Sequence, residues 1–275
     1  MKTLFSTLLI MFSLTIGTHG QSSRTLHLAD SLAKEILENE GIYTVMGGLK
    51  PISTILHFQF EIDSVSRDYL NEDEVNRQLN DLYVALSLLE KAPVGFVVIP
   101  FREIYGNQRS FEVLIYHRES VKAKIKDHAP FFLKRGILPE TPVSQVLSQT
   151  EFDFTSSRWR AYGYFFGYPD HAVDFFVKAS EHEKETKEFV KREFLQIPVS
   201  SREEGSFVYA VPQGYQLQEE DILLREQAEE LLAIYKLRKS NLMAMDLQYP
   251  FLELFWDISK KQAVYRSLIF ADALP

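Results

Sequence analysis

The chain has 275 residues, 45% hydrophobic and 25% charged, with a formal charge of −8 and no cysteine. That balance is ordinary for a globular protein and argues against disorder. Without cysteine there are no disulfides, no thiol catalysis and no lipid anchor on a cysteine. An acidic chain with no basic stripe also argues against nucleic acid as a partner.

Residues 1–20 read as a cleavable secretory signal. Met1-Lys2 supplies the positive start, and Thr3 to Ile16 carries no charge and is dominated by Leu, Ile, Phe and Met. This run is shorter than the roughly 20 residues a membrane-spanning helix needs. Thr18-His19-Gly20 then places small residues at the first and third positions before a cut. The expected mature start is Gln21, with a cut after Gly17 as the alternative. No later stretch has 18 uninterrupted apolar residues, so no transmembrane segment is expected after the signal. The expected location is secreted or periplasmic. With Lys2 removed, 29 basic residues face 38 acidic ones, a charge of −9. Residues 21–275 are read as one soluble globular domain, held by its core in place of disulfides.

Apolar residues at Leu26, Ala29, Ala33, Ile36 and Leu37 predict a helix that Gly41 ends. Gly47-Gly48-Leu49-Lys50-Pro51 is a loop. From Ile55 to Ile62, Leu56, Phe58, Phe60 and Ile62 alternate with His57, Gln59 and Glu61, which predicts a half-buried strand. Asn71 and Glu74 form a capping-box pattern for a helix to about Glu90. Val94–Phe101 and Phe111–His117 read as two strands of a hairpin, joined by the turn chemistry of Tyr105-Gly106-Asn107-Gln108.

The second half reads as mostly helical. Ser120–Asp127 is a short helix that Pro130 kinks or restarts, and Thr141-Pro142 opens another. Arg158–Phe166 is an aromatic-rich helix broken at Gly167-Tyr168-Pro169. A long helix is expected from Pro169 to about Phe194, with Glu183–Lys187 as an i,i+4 pair. Ser206–Val211 reads as a fourth strand, and Pro198–Gly205 as a long loop. Glu219–Lys239 is a helix burying Leu224, Ala228, Leu231 and Tyr235, and Phe251–Ile258 is a last aromatic segment. The fold class is therefore α+β: a helix-rich single domain around a small mixed or antiparallel sheet of about four strands.

No assembled catalytic motif stands out. No two of the mature histidines lie within five residues of each other, so no zinc-type ligand pair appears and no metal is expected. His171 and His182 are about 16 Å apart along a helix and cannot share an ion. His171-x-x-Asp174 could supply two groups from adjacent turns, although a polar helix start explains them more simply. Gly47-Gly48-Leu49-Lys50 lacks phosphate-loop spacing, yet its amides with Lys50 could meet an anion. No nucleophile elbow is present, Ser200-Ser201 reads as a turn, and no cofactor motif is found. His57 and Glu61 share a strand face at about 13 Å, too far apart for a dyad.

The densest unusual stretch runs from Arg158 to His171. Trp159, Arg160, Tyr162 and Tyr168 within it are the candidate ligand-binding residues. Aromatic rings with guanidinium groups suit stacking and the holding of a carboxylate or sugar. A core helix with solvent-reaching tips is the simpler alternative. Lys50, His171 and Asp174 are the candidate catalytic residues. Two function classes follow: an exported protein that binds a small ligand or an envelope partner protein, or an exported hydrolase-like enzyme using Lys50, Arg160, His171 and Asp174. A structural component of an envelope assembly is a third.

Overall fold

The computed structural model describes residues 23–269. The expected secretory signal and both expected cleavage positions lie outside them. The chain begins with α1 (Ser23–Glu38), whose buried face is Ala29, Leu32, Ala33, Ile36 and Leu37. Gly41 does not simply end this helix. It opens a short one, α2 (Gly41–Val45), so close to the first that an added Cβ would lie 2.8 Å from the Ile36 side chain.

β1 (Ile52–Glu61) and α3 (Glu72–Leu89) follow. β1 starts earlier than its alternation suggests, because a bulge between Thr54 and Leu56 resets which residues face which way. Asn71 caps α3 by accepting the Glu74 N–H. The reciprocal half of the expected capping box is missing, because the Glu74 carboxylate binds Arg77 and Gln78 instead. β2 (Val94–Pro100) and β3 (Gln108–His117) form the expected hairpin, turning at Tyr105–Gln108.

β3 is the centre of an antiparallel sheet of order β1-β3-β2. Its residues alternate between two cores. Val113 and Ile115 join the main core with α1, α2 and α3. Leu114 and Tyr116 join a second core on the other face. By the same alternation Glu112 belongs to that second face.

The second face is covered by α4 (Arg118–Asp127), α5 (Ala129–Leu133), α6 (Val143–Glu151), α7 (Thr155–Phe165) and the start of α8 (Asp170–Thr186). Pro130 sits in the first turn of α5, the restart the sequence implies. Thr141 does not cap α6. Pro142 holds that position, and the Thr141 hydroxyl accepts the Leu138 N–H.

Two expectations about the second half are corrected. The long helix ends at Thr186, where Lys187 adopts a left-handed conformation. The chain then folds back, and the Glu183 carboxylate accepts the Val190 N–H and pairs with Arg192 in place of Lys187. Arg192 thereby opens an unexpected strand, β4 (Arg192–Val199). It pairs antiparallel with β5 (Arg202–Pro212), so Pro198–Gly205 is a tight hairpin rather than a long loop. The α+β class holds, with five antiparallel strands in two sheets among the described residues, where a single sheet of about four was expected.

α9 (Glu219–Met243) buries Leu224, Ala228, Leu231 and Tyr235 as its periodicity requires. α10 (Pro250–Ser259) and α11 (Gln262–Ile269) complete the chain. The β4–β5 hairpin, α9 and α10 extend the main core. Glu38, at the end of α1, ties α9 and the hairpin turn together by accepting from Tyr235, Lys239 and Ser200. Among the described residues no helix is long and apolar enough to cross a membrane.

Candidate functional site

The second face of the sheet is not filled everywhere. Where the β2–β3 loop, α7, α8 and the β4–β5 hairpin meet, they leave a cavity of about 450 Å³. One side of α7 supplies Arg158, Trp159, Tyr162 and Phe166, the last at its C-terminal cap. Their spacing places them on one stripe of the helix. Tyr168 follows from the break after α7, Phe176 from α8, and Phe194 and Tyr209 from the two hairpin strands. Phe101 and Tyr105 close the side formed by the β2–β3 loop. Gly163 belongs to this wall for a packing reason. A Cβ there would stand 2.8 Å from Val173, so glycine lets α7 and α8 approach closely.

The walls are aromatic, but the deep end is charged. Glu151, at the end of α6, is only 5% exposed. Both of its oxygens are occupied: one accepts from the Arg102 N–H and the Arg158 guanidinium, the other from the Tyr162 hydroxyl at 3.0 Å. Glu112 is used far less. One of its oxygens accepts from the Thr54 hydroxyl at 2.5 Å, and among the described residues it forms no ion pair. Burial pushes the Glu112 carboxyl up to about 6, against the pull of Thr54 and with help from the carboxylates of Glu151 and Glu40.

Lys50 lies beneath the same wall and is fully buried. Its ammonium is 2.5 Å from Glu40 and lies over the rings of Phe207, Phe166 and Tyr168 at 4.4, 5.3 and 5.9 Å. Burial lowers its pKa, and the adjacent Glu40 opposes that shift. With no exposed surface, Lys50 holds the loop to the core rather than meeting a solute.

The Gly47-Gly48 turn is likewise packed into the fold. The Gly47 N–H donates to Gln262, and an added Cβ at Gly48 would strike Ser120 and the His117 ring. The two glycine-containing loops meet here, since a Cβ on Gly167 would lie 3.1 Å from the Leu49 carbonyl. A second groove of about 490 Å³ opens beside them, lined by charges of both signs: Lys124, Asp127, Glu220 and Arg266.

Of the sequence-derived candidates, Trp159, Tyr162 and Tyr168 are brought together around the aromatic cavity. Arg160 and Asp174 are brought together with each other, as an ion pair on the outer side of α7 and α8. His171 stands elsewhere: its Nε2 is 2.8 Å from the Tyr215 hydroxyl, and the ring stacks on that tyrosine. Tyr215 and Tyr209 both donate to Asp221 at the start of α9, so His171 braces that helix start. Lys50, His171 and the Arg160–Asp174 pair thus make different contacts, and none of the four residues lines the cavity. The His57, Gln59 and Glu61 side of β1 is exposed, with the His57 ring against Phe101. Among the described residues no cluster of His, Asp and Glu could hold a metal ion.

The sequence reading passed over Glu112, Glu151 and Thr54. Glu112 did leave a signal: it is the one carboxylate in an otherwise apolar central strand, from Phe111 to Tyr116.

The fold and the cavity together describe a helix-rich α+β protein with an aromatic pocket over a sheet. No family model, curated protein or solved structure matches the chain.

Proposed function

We propose that this chain is an exported protein that binds a small, largely apolar molecule in the aromatic cavity. The observation that carries this reading is the convergence of Trp159, Tyr162, Phe166, Tyr168, Phe176 and Tyr209, from α7, the break after it, α8 and β5, around one cavity of about 450 Å³. Small-molecule sites have this size and character, roughly 300–1,000 Å³ with apolar walls and few polar groups. Export rests on the N-terminal sequence, with its positive start, uncharged apolar run and small residues before Gln21.

The hydrolase reading draws support from the two carboxylates at the deep end, since such a pair can divide acid and base roles. Binding is favoured because Glu151 has both oxygens occupied by Arg102, Arg158 and Tyr162. That leaves Glu112 as the carboxylate with spare capacity, and acid–base hydrolysis of this kind needs two.

The test is a titration with Nile red, a neutral apolar dye that fluoresces on entering a dry site. The wild type should bind it saturably at one site, and Trp159→Ala should weaken binding about tenfold with the fold intact by circular dichroism. Absence of saturable binding to the wild type, or equal binding by the variant, overturns the reading.

A further inference from the structure

Lining charges of the aromatic cavity separate into those already neutralised and one that is not. Glu151 pairs with Arg158, and Glu103 with Arg102. Glu112 has no cation facing it among the described residues. It uses one oxygen for Thr54, and the other has no hydrogen-bond partner among them. Glu112 is only half-buried, so that second oxygen remains open to a donor. Lining a cavity walled by aromatic rings, it is placed to receive a donor from a solute.

We infer that the ligand is an organic ammonium ion: an aromatic or aliphatic body held by the rings, with a protonated amine donating to the free oxygen of Glu112. This rests on the binding reading above and narrows it to a substrate class. Two features of the walls favour a cation over an anion. The faces of Trp, Tyr and Phe rings attract positive charge, and the lining residues carry more acid than base. The one guanidinium in the lining, Arg158, already has its charge met by Glu151 at 3.2 Å, so an anionic ligand would compete with that carboxylate.

The inference carries a pH dependence. The charged and titratable groups around Glu112 are Glu151 and Glu40, which oppose its ionisation, the neutralised Arg158 and Lys50, Tyr162, and His57 directly opposite on β1. The two lysine and arginine cations among these groups, Lys50 and Arg158, are both already paired. Glu112 should therefore take up a proton on acidification through about pH 6 and release an amine ligand.

The experiment is competition against bound Nile red with three molecules that share one body and differ at the head group: phenylbutylamine, phenylbutanol and phenylbutyrate. At neutral pH the amine should displace the dye at about one-tenth the concentration the alcohol requires, as a charge-assisted hydrogen bond predicts, and the carboxylate should be weakest. Glu112→Gln should erase the amine's advantage and leave the alcohol unchanged. A second measurement needs no variant: on the wild type, the amine's advantage should largely vanish at about pH 5. Equal potency of amine and alcohol, an advantage that survives Glu112→Gln or acidification, or a preference for the carboxylate would each overturn the inference while leaving the binding reading in place. Failure of the wild type to bind Nile red at all would overturn the binding reading itself, so the two failures are distinguishable.

Discussion

The two faces of the β1-β3-β2 sheet are built to opposite ends. One face, against α1, α3, α9 and α10, is a filled core whose largest members, Tyr43, Tyr235, Phe207 and Phe255, are fully buried. Two of its largest polar side chains are tied down: the Tyr43 hydroxyl donates to the Pro198 carbonyl, and Tyr235 to Glu38. The other face is packed near α4, α5 and α6 but opens toward α7 and the β4–β5 hairpin. There it leaves aromatic surface around a cavity and a carboxylate with an idle oxygen. Stability that the first face accumulates is partly relinquished at the second.

That contrast can be broken in order of expected effect. Phe255→Ala in the filled core should lower stability by about 3–5 kcal/mol in urea denaturation. A loss below about 1 kcal/mol would show that this face is not the structural one. Glu151→Ala strips a buried guanidinium of its partner and should cost about 3 kcal/mol, which would place Glu151 with the scaffold. Glu112→Gln should act the other way. Its carboxyl titrates near 6 in the fold against about 4.3 unfolded, so the native state holds its proton to higher pH. Stability from this group is thus present at acid pH and lost as pH rises through that window. The variant should be more stable than the wild type by about 1 kcal/mol at neutral pH and no more stable at about pH 4. Equal gains at both pH values would remove the titration from the account. Smallest of all, Arg160→Ala should change stability by about 0.5 kcal/mol, since its partner Asp174 is half exposed, and should leave Nile red binding as it was.

The filled face was the more legible in the sequence. Its helices declare themselves locally: α1 and α9 through apolar periodicity, α3 through its Asn71 cap, and the β2–β3 hairpin through the Tyr105–Gln108 turn. Where a stop signal is unconventional the reading fails. Lys187 ends α8 in a conformation usually taken by glycine, and Glu183 reaches forward to Val190 and Arg192, so the charged run looked like continuing helix and β4 was missed. At the cavity, the α7 stripe was visible because Trp159, Tyr162 and Phe166 lie within one helix. Glu112, Glu151 and Tyr209 come from elements far apart in the chain. Only the packing of α6 against β2 and α7, and of the hairpin against α8, brings them to one place, and no local pattern encodes that.

The most direct test of the account fills the cavity and leaves the scaffold alone. Ala210 lines the cavity from β5, and Ala210→Phe would place a ring in the space a ligand needs. Titrated with Nile red at neutral pH, the wild type should show one saturable site. The variant, folded with an unchanged far-ultraviolet spectrum, should show none. Undiminished saturable binding by folded Ala210→Phe would contradict the claim that this cavity is where the protein meets its ligand.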